Sequence, residues 1–344
     1  MDLIKGLTEG LGYLPAKLTH VLLSGGSSFS LTSLACALFV ALGYLVWRRR
    51  VRNRRVRLRT LTRALLPRRI ANSPSAAADI GYFLFSIFLF GIMFGWAVMS
   101  YRWLSNCFVE WLVAAFGPLR PTSLSEIAVR GVVTAAVFVA YELGYWFDHW
   151  LKHRVPILWE FHKVHHSAHV LTPLTLFRVH PLDTLIFVNI LAVSVALANG
   201  LTNYLFGMSV PQFSVADTNV ILVVFIHAYV HLQHSHFWIA FNGWLGRVFI
   251  SPAHHQIHHS TDPQHFNRNF GSCLALWDWM FGTLHIPSRE PQKLKFGVEN
   301  LGYDPHSLPA GMALPLRDAA AHLAPALKGT AASPSPQIDA KAAP

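Results

Sequence analysis

Charge is scarce in this sequence. Only 13% of its 344 residues are Asp, Glu, Lys or Arg, about half of the ~25% usual in soluble domains. Hydrophobic residues make up 53% and the mean hydropathy is +0.36, which indicates a membrane protein. Cysteine is also rare. Cys36, Cys107 and Cys273 lie far apart and form no CxxC, which argues against a zinc ribbon or a disulfide framework and leaves them as packing residues. Acidic residues number 17 against 28 Lys and Arg, for a net charge of +11. That surplus is concentrated beside an apolar segment with no aromatic residues interleaved, so it reads as an orientation signal, and nucleic acid is not expected as a partner. No charged stretch followed by a short apolar core and a small-residue cleavage site opens the chain, so a cleaved signal peptide is not expected.

Histidine is abundant. Of 20 histidines, 16 lie between residues 149 and 265. His149 and His153 are four apart; His162, His165 and His166 follow as HxxHH, and His255, His258 and His259 repeat that motif. Residues three or four apart share a helix face, so each motif presents its imidazoles together. Neutral imidazole ligates iron, zinc and copper. Eight such groups exceed the needs of one ion. With one or two more from His227, His231 and His234 there are enough for two, and a two-metal site is the reading that spacing supports.

Apolar stretches arrange the rest. Residues 30–47 carry no charge and approach the ~20 residues needed to span a bilayer. Eight arginines follow within 12 residues, Arg48 to Arg59, which places this loop in the cytoplasm and the N-terminus outside. Further spans are read at 80–100, 126–147, 184–206 and 215–231, with 104–117 as an interfacial or re-entrant helix. Glu142 should face the bundle interior near the histidines. This parity puts all the histidine motifs on one membrane side, the cytoplasmic one. An interfacial helix is expected over 237–253, an amphipathic aromatic helix over 272–287, and an Ala/Pro/Ser-rich tail without order over 324–344.

HxxxH, HxxHH, an apolar hairpin and a second HxxHH, set in RVPILWEFHKVHHS, LTPLT, RVHPLD, QHSH, SPAHHQIHHS and LWDWMFGTLHIP, resemble the fatty acid hydroxylase superfamily, which includes sterol desaturases. The resemblance covers roughly residues 80–290. It implies an all-α integral membrane bundle of about four to five transmembrane helices under a cytosolic histidine-rich di-metal cap. It further implies two iron ions, with zinc able to load in their place, and O2 as co-substrate. The ligands it implies are His149, His153, His162, His165, His166, His234, His255, His258 and His259, with His231 a further one. His227, His236, His169 and His180 stand as ligands or as groups that orient one. Glu160, Asp148, Asp183 and Asp262 are candidates to accept the outer N–H of a ligating imidazole; Asp278 should anchor its helix to the cap, and His254 should be exposed. His20, His285, His306 and His322 fall outside the pattern.

The implied activity is hydroxylation of an unactivated C–H bond of a lipid: a fatty acyl chain, a sterol-like molecule, an alkylglycerol ether or an aminolipid. Desaturation on the same scaffold is the alternative, and a histidine-lined metal transporter is the reading from a different class. No HPGG haem motif is present, so electrons are expected from a separate ferredoxin or a cytochrome b5-type protein with its reductase. The expected organisation is a lead-in, first span and Arg-rich loop at 1–69, a catalytic membrane domain at 70–290, and a largely disordered extension at 291–344. The expected location is a bacterial inner membrane.

Overall fold

The computed structural model describes Tyr13 and residues 15–327. Among the described residues, four helical stretches are long and apolar enough to cross a membrane: Leu31–Val51, Pro74–Phe116, Glu126–Arg154 and Pro181–Phe206. In chain order the principal helices are α1 (Leu31–Val51), α2 (74–94), α3 (Tyr101–Phe116), α4 (Glu126–Arg154), α5 (Pro156–His166), α6 (Pro181–Phe206), α7 (Val220–Gln233), α8 (Pro252–His258) and α9 (Leu308–Leu327). The tail expected beyond 327 lies outside the described residues.

Local chemistry sets the helix ends. Ser30 and Ser125 cap α1 and α4 by accepting from Ser33 and Ala128 N–H, and Arg48, Arg49 and Arg50 occupy the last turn of α1, where the helix dipole favours cations. Pro156, Pro181 and Pro252 each sit at the start of a helix, a position that needs no N–H. Pro156 matters most. The residue before a proline avoids the helical region, so Val155 is extended (φ −100, ψ 114) and the chain turns a corner between HxxxH on α4 and HxxHH on α5.

α4 and α6 pack closely. A Cβ on Gly144 would lie 2.5 Å from Ser194 Oγ, so glycine is what lets the backbones approach. α6 runs antiparallel to α4, which brings Asp183 beside the histidines at the end of α4. α1 and α7 run parallel: Ser33 Oγ donates to Ile226 O (3.4 Å) and Tyr44 OH to Trp238 O (2.6 Å). A two-residue hairpin, with Ser214 opposite Asn219 and Val215 opposite Thr218, lies at the end away from the histidines.

Four expectations change. The segment 104–117 does not turn back. Met99 N–H reaches Asn189 Oδ1 (2.8 Å), Asn199 Nδ2 reaches Ser105 Oγ (2.8 Å) and Tyr204 OH reaches Gly117 O (2.9 Å). α3 therefore climbs alongside α6 and completes the crossing that α2 begins, after a break at Gly95–Ala97 and a fresh cap at Ser100. Residues 237–253 are not one interfacial helix; Gly243–Val248 is helical, α8 begins at Pro252, and Phe237, Trp238 and Ile250 are buried. The amphipathic helix of 272–287 shrinks to Leu276–Met280. The extension 291–344 is not largely disordered as far as it is described: α9 packs on α5.

Candidate metal centre

Nine histidines meet at one end of the bundle, in two buried groups. One holds His149, His153, His162, His166 and His258; the other holds His165, His234, His255 and His259. Within each group one nitrogen per residue lies within 4.8 Å of every other. Opposite ligands on an ion with bonds of about 2.1 Å stand ~4.2 Å apart and adjacent ones ~3.0 Å, so each group is close to the size one ion needs. The observed Nε2–Nε2 edges include His234–His165 at 3.2 Å, His255–His234 at 2.9 Å, His259–His255 at 3.1 Å and His258–His166 at 3.2 Å.

The adjacent residues His165 and His166 diverge into different groups, as do His258 and His259. Successive residues on a helix point about 100° apart, so α5 and the end of α8 each feed both groups. His149 and His153 come from α4, and His234 follows α7.

The outer nitrogens show which tautomer is present. His149 Nδ1 donates to Phe270 O and His258 Nδ1 to Arg268 O, both at 2.8 Å; His165 Nδ1 donates to Arg178 O and His162 Nδ1 to Asp183 Oδ1, both at 3.3 Å. A proton held on Nδ1 leaves the Nε2 lone pair facing inward, the form that binds metal. Nε2 of His149, His153 and His162 is buried with no hydrogen-bond partner. Burial, reinforced by neighbouring histidines, holds His165, His166, His255 and His259 well below the usual imidazole value and brings His234 to about 3. Burial likewise brings His258 to about 3. Buried, neutral nitrogen donors in sets of five and four fit two transition-metal ions, and iron is among the metals such donors suit.

The loop 268–271 is itself braced. Asp278 accepts from Phe270 N–H (2.9 Å), Gly271 N–H (2.8 Å), Trp146 Nε1 (3.2 Å) and Thr283 Oγ1 (2.6 Å). Glu142 is buried, and its Oε2 accepts from Cys273 and Leu274 N–H, both at 2.8 Å.

Other expected residues lie elsewhere. His231 reaches neither group, because its Nε2 is taken by Ser28 O and by Ser33 Oγ (3.1 Å) beside α1. His227 bonds Val223 O (2.9 Å) and Thr32 Oγ1 (3.3 Å), and His236 bonds Ala64 O (2.7 Å). His180 caps α6 through Leu182 N–H (3.2 Å) and donates to Met312 O (3.0 Å). His169 is exposed and packs on His306. His254 is buried rather than exposed, because its ring bonds Ser251 Oγ (2.7 Å) and Gly246 O (3.1 Å). Of the four carboxylates expected to hold a ligating imidazole, Asp183 holds one of the nine, His162. Asp148 pairs with Lys152 (2.7 Å), Glu160 with Lys163 and His322, and Asp262 caps Gln264 N–H (3.0 Å).

Sequence reading missed three supports. Arg178 is fully buried; its carbonyl takes His165, while its guanidinium bonds Asp79 Oδ1 (2.6 Å) and Ser75 O (2.7 Å) on α2. Asn269, at φ 59, bridges His254 O (3.0 Å) and His285 O (2.9 Å); the asparagines of NRNFG were the available signal, since asparagine tolerates that conformation. On α9, Asp318 bonds Lys163 (3.1 Å) and His322 bonds Glu160 (3.1 Å), bracing the back of α5.

Beneath the histidines lies a cavity of about 340 Å³. His149, His162, His165 and His234 form its roof, and Phe90, Tyr145 and Phe187, from three membrane-spanning helices, stand in its walls.

The fatty acid hydroxylase family model matches residues 134–283, which include all nine gathered histidines. The chain is 30% identical over 161 residues to the ornithine lipid hydroxylase OlsE of Rhizobium tropici, covering 46% of this chain and 44% of that protein. It is 27% identical over 172 residues to the alkylglycerol monooxygenase of Danio rerio, covering 47% and 32%. To the cholesterol 25-hydroxylase of Homo sapiens it is 31% identical over 151 residues, covering 43% and 49%. The match thus spans a third to a half of the length of these relatives. No solved structure matches the chain. Over this matched region the chain is similar to the superfamily of fatty acid hydroxylases and sterol desaturases.

Proposed function

We propose that this chain is a membrane oxygenase that holds two iron ions between the two histidine groups and hydroxylates an unactivated C–H bond of a lipid with O2 and external electrons. The observation that carries this reading is the juxtaposition of nine buried histidines with a cavity walled by membrane-spanning helices. Bound iron would supply the activation of O2, which no side chain can provide. The chain's own residues do the rest. Phe270 O, Arg268 O, Arg178 O and Asp183 hold protons on the outer nitrogens. The buried surroundings limit water, and the cavity positions a lipid segment beneath the roof.

Electrons come from a separate donor, a ferredoxin or a cytochrome b5-type protein with its reductase. The exposed arginines that follow α1 offer an acidic protein a docking face. The helix Leu58–Leu65 in that region touches the centre's surroundings through Ala64 O and His236 (2.7 Å). In this reading the start of α1 lies outside a bacterial inner membrane and the arginines and histidines lie at its cytoplasmic face. The shared end of the motifs supports that placement, as does the positive-inside tendency.

The test is untargeted lipid mass spectrometry of cells expressing wild type or His258→Ala at matched levels, in a host verified to load iron. A lipid that gains one oxygen only with the wild type supports hydroxylation and names the substrate among fatty acyl, sterol-like and aminolipid classes. A lipid that loses two hydrogens moves the assignment to a desaturase. No difference overturns the enzyme reading and favours a metal transporter. Imidazoles also suit zinc, so elemental analysis of the purified protein accompanies the experiment.

A further inference from the structure

The cavity beneath the histidines is apolar in its walls but charged at one edge. Lys152, Asp148 and Asp183 all line it, and each is almost fully buried. The three N–H bonds of the Lys152 ammonium are accounted for by Asp148 Oδ2 (2.7 Å), Asp183 Oδ1 (3.1 Å) and Asp183 O (3.0 Å). Asp183 Oδ1 also takes His162 Nδ1. Lys152 is therefore spent within the protein and has no donor left for a carboxylate or phosphate. Asp148 is different. Its side chain is 3% exposed, and its Oδ1 is buried with no hydrogen-bond partner.

A buried carboxylate oxygen left without a donor is costly. A plain alkyl chain entering this cavity would leave it so, whereas a ligand that brings an O–H or N–H would satisfy it. Lys152 joins Asp148 to Asp183, and Asp183 Oδ1 also holds His162 of the roof, so a group bonded to Asp148 sits on the same side of the cavity as the carbon presented to the histidines. The hydroxyls of Ser86 and Thr184, also at the cavity, spend their protons on Phe177 O (3.2 Å) and His180 O (3.5 Å) and have none for Asp148, whose Oδ1 stays a buried acceptor without a donor.

We propose that Asp148 Oδ1 is a substrate-recognition group, and that the cavity selects lipids bearing a hydrogen-bond donor, hydroxyl or ammonium, close to the carbon that reacts. This inference rests on the reading of the cavity as the lipid site. Sites built to bond a donor reject analogues that lack it far more strongly than apolar pockets reject a missing methylene.

The experiment measures binding of three tritiated probes with the same eighteen-carbon chain, octadecylamine, octadecanol and methyl octadecanoate, to iron-loaded protein in nanodiscs by scintillation proximity. Wild type, Asp148→Asn and Asp148→Leu are compared, each checked for iron content and monodisperse elution. The ester can only accept hydrogen bonds. Wild type is expected to hold the amine or the alcohol at least about tenfold more tightly than the ester, and Asp148→Leu to lose that preference. Asp148→Asn separates the two donors, since its amide keeps an acceptor without the charge. A hydroxyl preference should survive within about threefold, while an ammonium preference should fall by about tenfold or more. Equal binding of all three probes by the wild type overturns the proposal without any variant. A preference that persists in Asp148→Leu overturns it as well. If lipid oxygenation is seen in cells and the donor preference is absent, this inference alone fails. If there is neither product nor binding of any probe, the functional reading fails with it.

Discussion

The two histidine groups are built to different standards. In the group of five, His149, His162 and His258 each have the outer nitrogen held by a carbonyl or a carboxylate. In the group of four, His165 is held at 3.3 Å, while Nδ1 of His234 and of His255 is buried without a partner. Three of the five in the first set are held before any ion arrives, and the second has fewer ligands and fewer restraints. Outer partners commonly change metal affinity by about 10–100-fold. Two ions on one protein are therefore expected to differ in how readily they leave.

The largest effects should come from the ligands. His234→Ala and His258→Ala are each expected to lower lipid oxidation by more than about 100-fold. Their iron contents should differ, because His234→Ala leaves three imidazoles in its group and His258→Ala leaves four. Iron per chain, read by plasma mass spectrometry, should fall further in His234→Ala; equal losses would break the comparison.

Acid comes next, and it should treat the groups alike. His234 and His258 are both held at about 3 by burial, against about 6.5 in an unfolded chain. The unfolded state thus binds more protons below pH 6.5. Stability is complete above that value and declines as pH falls toward 3, by about 1.4 kcal/mol per pH unit for each such histidine. Chelator-treated protein should melt at a clearly lower temperature at pH 5.5 than at pH 7.5. An unchanged melting temperature would mean that these imidazoles are not buried neutral.

Asp278→Ala should act on one group more than on the other. It removes the acceptor for Phe270 and Gly271 N–H, at a cost on the order of 3 kcal/mol. The carbonyls released hold His149 and His258, so chelator competition should show the ion of the five-membered group weakened first. Equal weakening of both would deny the loop that specific role.

The smallest effect is expected from His231→Gln, which should leave iron content unchanged and cost about 1 kcal/mol of stability. A lost ion would return His231 to the ligand set.

The local histidine motifs were legible because their spacing is a helix spacing, and α4, α5 and α8 are regular where they carry them. The middle group was not. Ile226–Val230 forms a π-helical turn, which inserts extra residue length and rotates the residues after it. His234 has also left the helix (φ −97, ψ 67), so counting by turns back from it pointed to His231 and His227, which instead face α1. α9 was hidden for another reason. Its sequence carries Pro309, Gly311, Pro315 and Pro325, poor helix formers, and packing against α5 overrides that propensity. Asp183 could be nominated from its position beside HP, but Arg178 works largely through a backbone carbonyl, which side-chain patterns do not reveal.

The seven-residue helix α8 bears on how the protein is made. When the ribosome has completed residue 251, the four-membered group has only His165 and His234, and the five-membered group lacks His258. Translation of a few more codons adds His255, His258 and His259 and closes both at once. A nascent chain stalled before that point has an open second group, so under the proposed function the order of synthesis would delay full metal capture until the membrane helices have already been made.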